Sequence, residues 1–176
     1  MPTCRLLRAK DNQQPMPTRD WTIDTYVLHK ATELDLVAID VLSGLLHLRQ
    51  RLVLDAQRDI VAQYDRCISR ATAEKRSGVE FVKAWLKQMR NCAETYDGRM
   101  PSSQAERLAD IGFDRSDWPF VAACHRSPSK KLVSEDTDYN SPVRELLRDD
   151  LAVEVLSVAE AQTVLRPRNA VQYPTA

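Results

Sequence analysis

No run of apolar residues in this sequence approaches the roughly 20 that cross a bilayer, and residues 1–20 hold no apolar stretch of the kind a secretion signal requires. The expectation is a cytoplasmic protein with no membrane partner. There is no excess of either charge, with 25 Lys plus Arg against 25 Asp plus Glu, so no overall positive field draws the chain onto nucleic acid or an anionic surface. Any nucleic-acid contact must then be local. Cys4, Cys67, Cys92 and Cys124 form no CxxC pair and no zinc-type cluster with His29, His47 or His125. They read as reduced, mostly buried thiols. Internal repeats and low-complexity blocks are also missing, which excludes solenoids and arrays.

What is present fits one compact domain. A chain of 176 residues with 43% hydrophobic and 28% charged residues is long enough to enclose a core. Residues 1–20 carry Pro2, Pro15 and Pro17 and read as a polar arm, with Arg5, Arg8, Lys10 and Arg19 as its cations. Residues 21–166 read as the folded domain and 167–176 as a tail.

Strand and helix signals alternate through that domain. Trp21 to Leu28 is rich in Ile, Thr, Tyr and Val and predicts a first strand. Thr32 to Arg49 places Leu34, Val37, Ala38, Val41, Leu42, Leu45 and Leu46 at helical spacing, with Thr32 as N-cap. Arg51 to Leu54 predicts a second strand, and Asp55 opens a helix through Tyr64 and Ile68. A helix over Val79–Met89, a loop over Asn91–Pro101 and a helix over Ser102–Ile111 follow. The last third predicts strands at Lys131–Ser134 and Val153–Leu156 and helices at Pro142–Leu151 and Ser157–Leu165. Ser157 with Glu160 makes a capping box for the final helix. The sum is an α/β fold, a three-layer sandwich around a four- or five-stranded, mainly parallel sheet.

In such a sheet, side chains just past the carboxyl ends of strands converge on one crevice. Asp24 ends the apolar run Trp21-Thr22-Ile23, Asp136 follows Leu132-Val133-Ser134, and Asp117 opens the helical run Trp118 to Ala123. With Asp138, these acids predict one anionic pocket that needs a cation. Taken singly, each has an ordinary alternative: Asp117 as a helix cap, Asp136 to Asp138 as a solvated turn, Asp24 as a strand-end residue. Ser134 is a candidate partner for an acid or a phosphate, with local backbone bonding as its alternative. Arg115, Arg126, Lys130 and Lys131 are candidate rim cations.

Three segments resemble the PIN domain, a metal-dependent ribonuclease fold that includes many toxins of bacterial toxin and antitoxin pairs. They are Ile23-Asp24-Thr25-Tyr26-Val27-Leu28, Ser116-Asp117-Trp118-Pro119-Phe120-Val121-Ala122-Ala123, and Leu132-Val133-Ser134-Glu135-Asp136-Thr137-Asp138. The resemblance covers Trp21 to Leu165. It implies an endoribonuclease with Asp24, Asp117 and Asp136 as catalytic acids, and with Asp138 joining them to hold Mg²⁺ or Mn²⁺. Glu135 is an alternative to Asp138 in an outer position. It further implies single-stranded RNA as substrate, with Thr25, Ser134 and Gln63 beside it, and an antitoxin partner. The segment Val79–Ile111, with Phe81 and Trp85, has three readings: packing into the core, a homodimer contact, or a grip on a partner.

Two positions depart from the family pattern. Gln63 stands where an acid is usual, and Tyr26 stands where Asn is usual. A carboxamide adds no negative charge, so a binding or scaffold module with impaired catalysis is the alternative function. A receiver-like phosphoacceptor domain would want a second acid beside Asp24 and ranks below both.

Overall fold

The structure is a computed structural model that describes residues 19–166. The expected polar arm and tail lie outside the described residues, except for Arg19 and Asp20. Five strands form one parallel sheet in the order β3-β2-β1-β4-β5, where β1 is Asp20–Ile23, β2 Arg51–Asp55, β3 Glu94–Tyr96, β4 Lys131–Val133 and β5 Glu154–Leu156. The strands are short and almost wholly apolar at their centres. Ile23, Leu52, Val53, Leu132 and Val133 are fully buried, as strands covered on both faces require.

Helices α1 (Thr25–Thr32) and α2 (Leu36–His47) carry the chain from β1 to β2, and α3 (Asp59–Ala73) and α4 (Val79–Arg90) carry it on to β3. From that edge the chain returns past β1 to β4 through α5 (Ser102–Asp110), a 3₁₀ turn at Arg115–Asp117 and α6 (Trp118–Arg126). Right-handed crossovers running in opposite directions place their helices on opposite faces. Accordingly α1, α2 and α4 pack on one another, while α6 lies across β1, β2 and β4. Helix α7 (Ser141–Leu151) joins β4 to β5, and α8 (Val158–Leu165) folds back against α2. The expected three-layer α/β sandwich is the fold observed, with the capping box of Ser157 and Glu160 in place.

Four local expectations need correction. The first strand stops at Ile23 instead of reaching Leu28, because Asp24 accepts the Tyr26 N–H and caps α1. Thr25, Tyr26 and Val27 favour strands, but Val27, Leu28 and Ala31 reach the core only from a helix. The long helix expected from Thr32 is two helices: Leu34 takes a left-handed backbone (φ 65°), and Asp35, not Thr32, caps α2 by accepting the Ala38 N–H at 2.9 Å. Asp55 ends β2 rather than opening a helix. It is buried and accepts the N–H groups of Asp59 at 2.9 Å and Ile60 at 2.8 Å. The predicted loop at Asn91–Pro101 contains β3, a polar edge strand whose Glu94 is paired with Arg51 at 2.7 Å. Among the thiols, Cys124 is buried and Cys67 half-buried, but Cys92 is exposed; all three are free.

The topology fixes where a site belongs. β2 lies on one side of β1 and β4 on the other, so the direction in which strands are added reverses at β1, while all five strands stay parallel. The crevice past their carboxyl ends is the usual ligand position in an open parallel sheet. Asp24 and the loop 134–138 border it.

Candidate functional site

Asp24 is the most constrained of the acids. Its N–H donates to the Val133 carbonyl at 3.0 Å, which ties the residue after β1 to the end of β4. One carboxylate oxygen, Oδ1, accepts from the Thr25 hydroxyl at 3.1 Å and from the Tyr26 N–H at 3.4 Å. The other, Oδ2, accepts from the Ser134 hydroxyl. Ser134 Oγ in turn accepts the Asp136 N–H at 3.1 Å, so one hydroxyl joins the first acid to the loop of the third. Asp136 Oδ1 accepts the Asp138 N–H at 3.2 Å and shapes the turn between them. Burial raises the Asp24 pKa; the bonds from Ser134, Tyr26 and Thr25 pull it down, and the Asp136 charge pushes it up again.

Asp117 arrives from the opposite face of the sheet. It occupies the N-cap position of α6 but makes no capping hydrogen bond with its side chain; Asp114 caps the preceding turn by accepting the Ser116 N–H at 2.8 Å. The carboxyl of Asp117 is therefore not used by its own helix. Its pKa is pushed from 3.8 up to about 8, first by burial and then by the charges of Asp24, Asp136, Asp114 and Asp138. Asp138 is also shifted up, by desolvation and by Asp136 and Asp114. Like charges at close range disfavour ionisation, and here the acids separated in sequence act on one another. Among the described residues, no three His, Cys, Asp or Glu side chains stand close enough in this conformation to hold a metal ion. The four predicted acids lie within electrostatic reach of one another, but in this conformation they form no metal-ligand set.

The remaining expected residues divide. Thr25 and Ser134 sit at the acids, both bonded to Asp24. Gln63 reaches the same region on α3, but its amide is engaged: Nε2 donates to the Ser116 carbonyl at 2.6 Å and fastens the segment that carries Asp117. Glu135 does not face the acids, because its carboxylate accepts the Val158 N–H at 2.9 Å at the start of α8. Lys130 and Lys131 are at the amino end of β4, opposite to the site, with Lys131 over the Trp21 ring at 5.2 Å. Arg126 turns back to the Ala122 carbonyl at 3.0 Å. Arg115 stays near Asp117, 5.5 Å from the Trp118 ring.

Three contributors were not anticipated. Asp114 adds a further charge to the cluster, and its place one turn before Asp117 was the available signal. Arg144 clamps the acidic loop by donating to the carbonyls of Tyr139 at 2.7 Å, Val155 at 3.0 Å and Ser134 at 3.2 Å. Tyr139 is buried against Phe113, ring centroids 5.1 Å apart, and its hydroxyl has no hydrogen-bond partner among the described residues. Burial, followed by the charges of Asp24 and Asp117, holds that phenol well above its ordinary pKa. Below the cluster, the Tyr64 hydroxyl donates to the Ile23 carbonyl and anchors α3 to the end of β1. Compared with known proteins, the chain matches no family model, no curated sequence and no solved structure.

Proposed function

We propose that this protein is a divalent-metal-dependent endoribonuclease whose working groups are Asp24, Asp117, Asp136 and Asp138. The observation that carries the reading is that Asp24 and the Asp136 loop are joined through Ser134 at the ends of β1 and β4, beside an Asp117 that burial and four other aspartates push up to about 8. A fold that gathers uncompensated carboxylates at its sheet's reversal point is suited to a cation. The donors fit Mg²⁺ or Mn²⁺ in kind, since all are hard oxygens and Mg²⁺ takes only one or two carboxylates directly. Asp24 and Asp136 would hold the ion from the strand ends, with Asp117 and Asp138 completing the charge. A bound divalent ion would supply Lewis-acid stabilisation of the charge that develops on a phosphodiester. The chain's own part is positional: Ser134 fixes the Asp24 oxygen that faces the loop, Thr25 and Tyr26 fix the other, and Arg144 holds the loop itself. Burial and the neighbouring carboxylates favour the protonated form of Asp117, so ion loading and deprotonation would be linked. The resemblance of the three motifs to PIN domains supports RNA as the polymer.

The direct trial incubates the protein with RNA in Mg²⁺ or Mn²⁺ and in EDTA. Cleavage is expected with metal only, and Asp24→Asn should reduce it to the EDTA level. Cleavage that persists in EDTA or in the variant refutes the assignment. One observation favours a binding module instead: the Gln63 amide is committed to the Ser116 carbonyl. Calorimetric titration with Mn²⁺ separates the two readings, because a module that has lost catalysis at this position would show no binding.

A further inference from the structure

The acids occupy one end of a longer concavity. A groove of about 460 Å³ runs between α1 and α3 and reaches Asp136. Tyr26, Lys30, Arg66, Arg70 and Arg76 line it, a concentration of cations in a chain whose net charge is zero. Two carboxylates offset part of this charge: Glu33 pairs with Lys30 at 3.6 Å and with Arg76 at 3.3 Å, and Glu74 pairs with Arg70 at 2.9 Å and with Arg76 at 2.6 Å. Four cations against three carboxylates, Glu33, Glu74 and Asp136 at its end, leave the wall positive. Arg66, by contrast, makes no hydrogen bond or ion pair among the described residues, and it is exposed.

The placement is what gives the charge a direction. Gln63, Arg66 and Arg70 follow one another at three- and four-residue steps, so they share a face of α3. The row begins where Gln63 touches the segment of Asp117 and leads away from the acids. At 1.5 Å per residue it extends over about 10 Å, the length of about three nucleotides of a stacked strand at 3.4 Å each. Tyr26, two residues after Asp24, places a half-buried ring in the same groove, with Lys30 Nζ over one face at 5.6 Å from its centroid. An aromatic face in such a position takes an unpaired base, not a base pair within a duplex.

We infer that the α1–α3 groove holds the single-stranded RNA flanking the bond at the acids, with Arg66 and Arg70 against its phosphates and Tyr26 stacked on a base. This rests on the nuclease reading for the identity of the polymer, but it is tested by binding, not by cleavage. Fluorescence anisotropy of a labelled ten-nucleotide RNA with the full chain in EDTA reads affinity while metal-dependent hydrolysis is off. Arg66→Ala is expected to weaken binding several-fold and to flatten the slope of log K against log salt by about 0.7, the single-strand value for one phosphate contact. Tyr26→Ala should weaken binding about tenfold, and Tyr26→Phe should restore it. Lys87→Ala, at an exposed position on α4 away from this groove, should bind as the parent does. Circular dichroism checks that each variant is folded. Asp24→Asn separates the two claims, since it should lose cleavage in metal yet keep affinity in EDTA. Unchanged affinity and salt slope in Arg66→Ala, a Tyr26→Phe protein no better than Tyr26→Ala, or equal affinity for a duplex would each overturn the groove assignment and leave the nuclease reading standing.

Discussion

Replacing Asp117 with asparagine removes a charge from the cluster while keeping the side chain's size, and its effect on stability can be worked out in advance. In the folded protein this carboxyl holds its proton until about pH 8; in the unfolded chain it releases it near 3.9. Between those values the native state binds the extra proton, so the stability of the metal-free parent must fall as pH rises from about 4 to about 8, and level off beyond. The shift from 3.8 to about 8 corresponds to about 6 kcal/mol at about 1.4 kcal/mol per unit. The group is only half-buried, so solvent screening reduces this by about half, to ~3 kcal/mol. Asp117→Asn lacks that slope. Urea unfolding in EDTA, followed by circular dichroism, should find the two proteins nearly equal at pH 4 and the variant about 3 kcal/mol more stable at pH 8.5. Asp24 and Asp138, also shifted up, leave some slope in both proteins, so the difference between the curves is the quantity to read. Adding Mg²⁺ to the parent at pH 8.5 should recover stability by mass action, about 2.7 kcal/mol at a hundredfold excess over Kd. Parallel pH curves for parent and variant would refute the claim that Asp117 is held among other acids.

Ser134→Ala leaves Asp24 Oδ2 without its hydroxyl partner and should lower stability by about 1.5–3 kcal/mol in urea unfolding at pH 8. The loss should be smaller at pH 4, where Asp24, its pKa already raised, is more nearly neutral. Gln63→Glu gives up the 2.6 Å bond to Ser116 and adds a negative charge beside Asp117; calorimetry should show about tenfold tighter Mn²⁺ binding alongside a less stable metal-free protein. Unchanged Mn²⁺ affinity would place position 63 outside the ion's reach. Gly78→Ala puts a Cβ 2.1 Å from the Ala31 carbonyl oxygen, so the joint between α1 and α4 must shift, and thermal unfolding should register a loss of about 1–3 kcal/mol.

Much of this fold was legible because burial imposes periodicity. Short apolar runs alternating with amphipathic segments could be satisfied only by a parallel sheet with crossover helices, and an acid following such a run is carried to the sheet's carboxyl edge. Asp24 and Asp136 follow from that argument alone, as does the α2 stripe of Ala38, Val41, Leu42 and Leu45. Boundaries were less legible where local preference and tertiary demand disagreed. Thr25 to Val27 favour a strand, yet the core needs Val27 and Leu28 on a helix, and Asp24 supplies the cap. Likewise β3 carries no apolar signal because an edge strand is held by its neighbour's backbone and by the Arg51 to Glu94 pair.

The sequence by itself determined that this is an α/β protein and that acids stand at its strand ends, since both depend on residue order and short-range spacing. Only the tertiary structure decided which charges share one space. Asp114 joins the cluster while Glu135 is drawn off to cap α8; Gln63 serves Ser116; and the cations of the groove that reaches Asp136 come from α1, α3 and the residue Arg76, not from the start of β4. Coulomb energy depends on distance through space, and distance through space is what a linear order of residues does not contain.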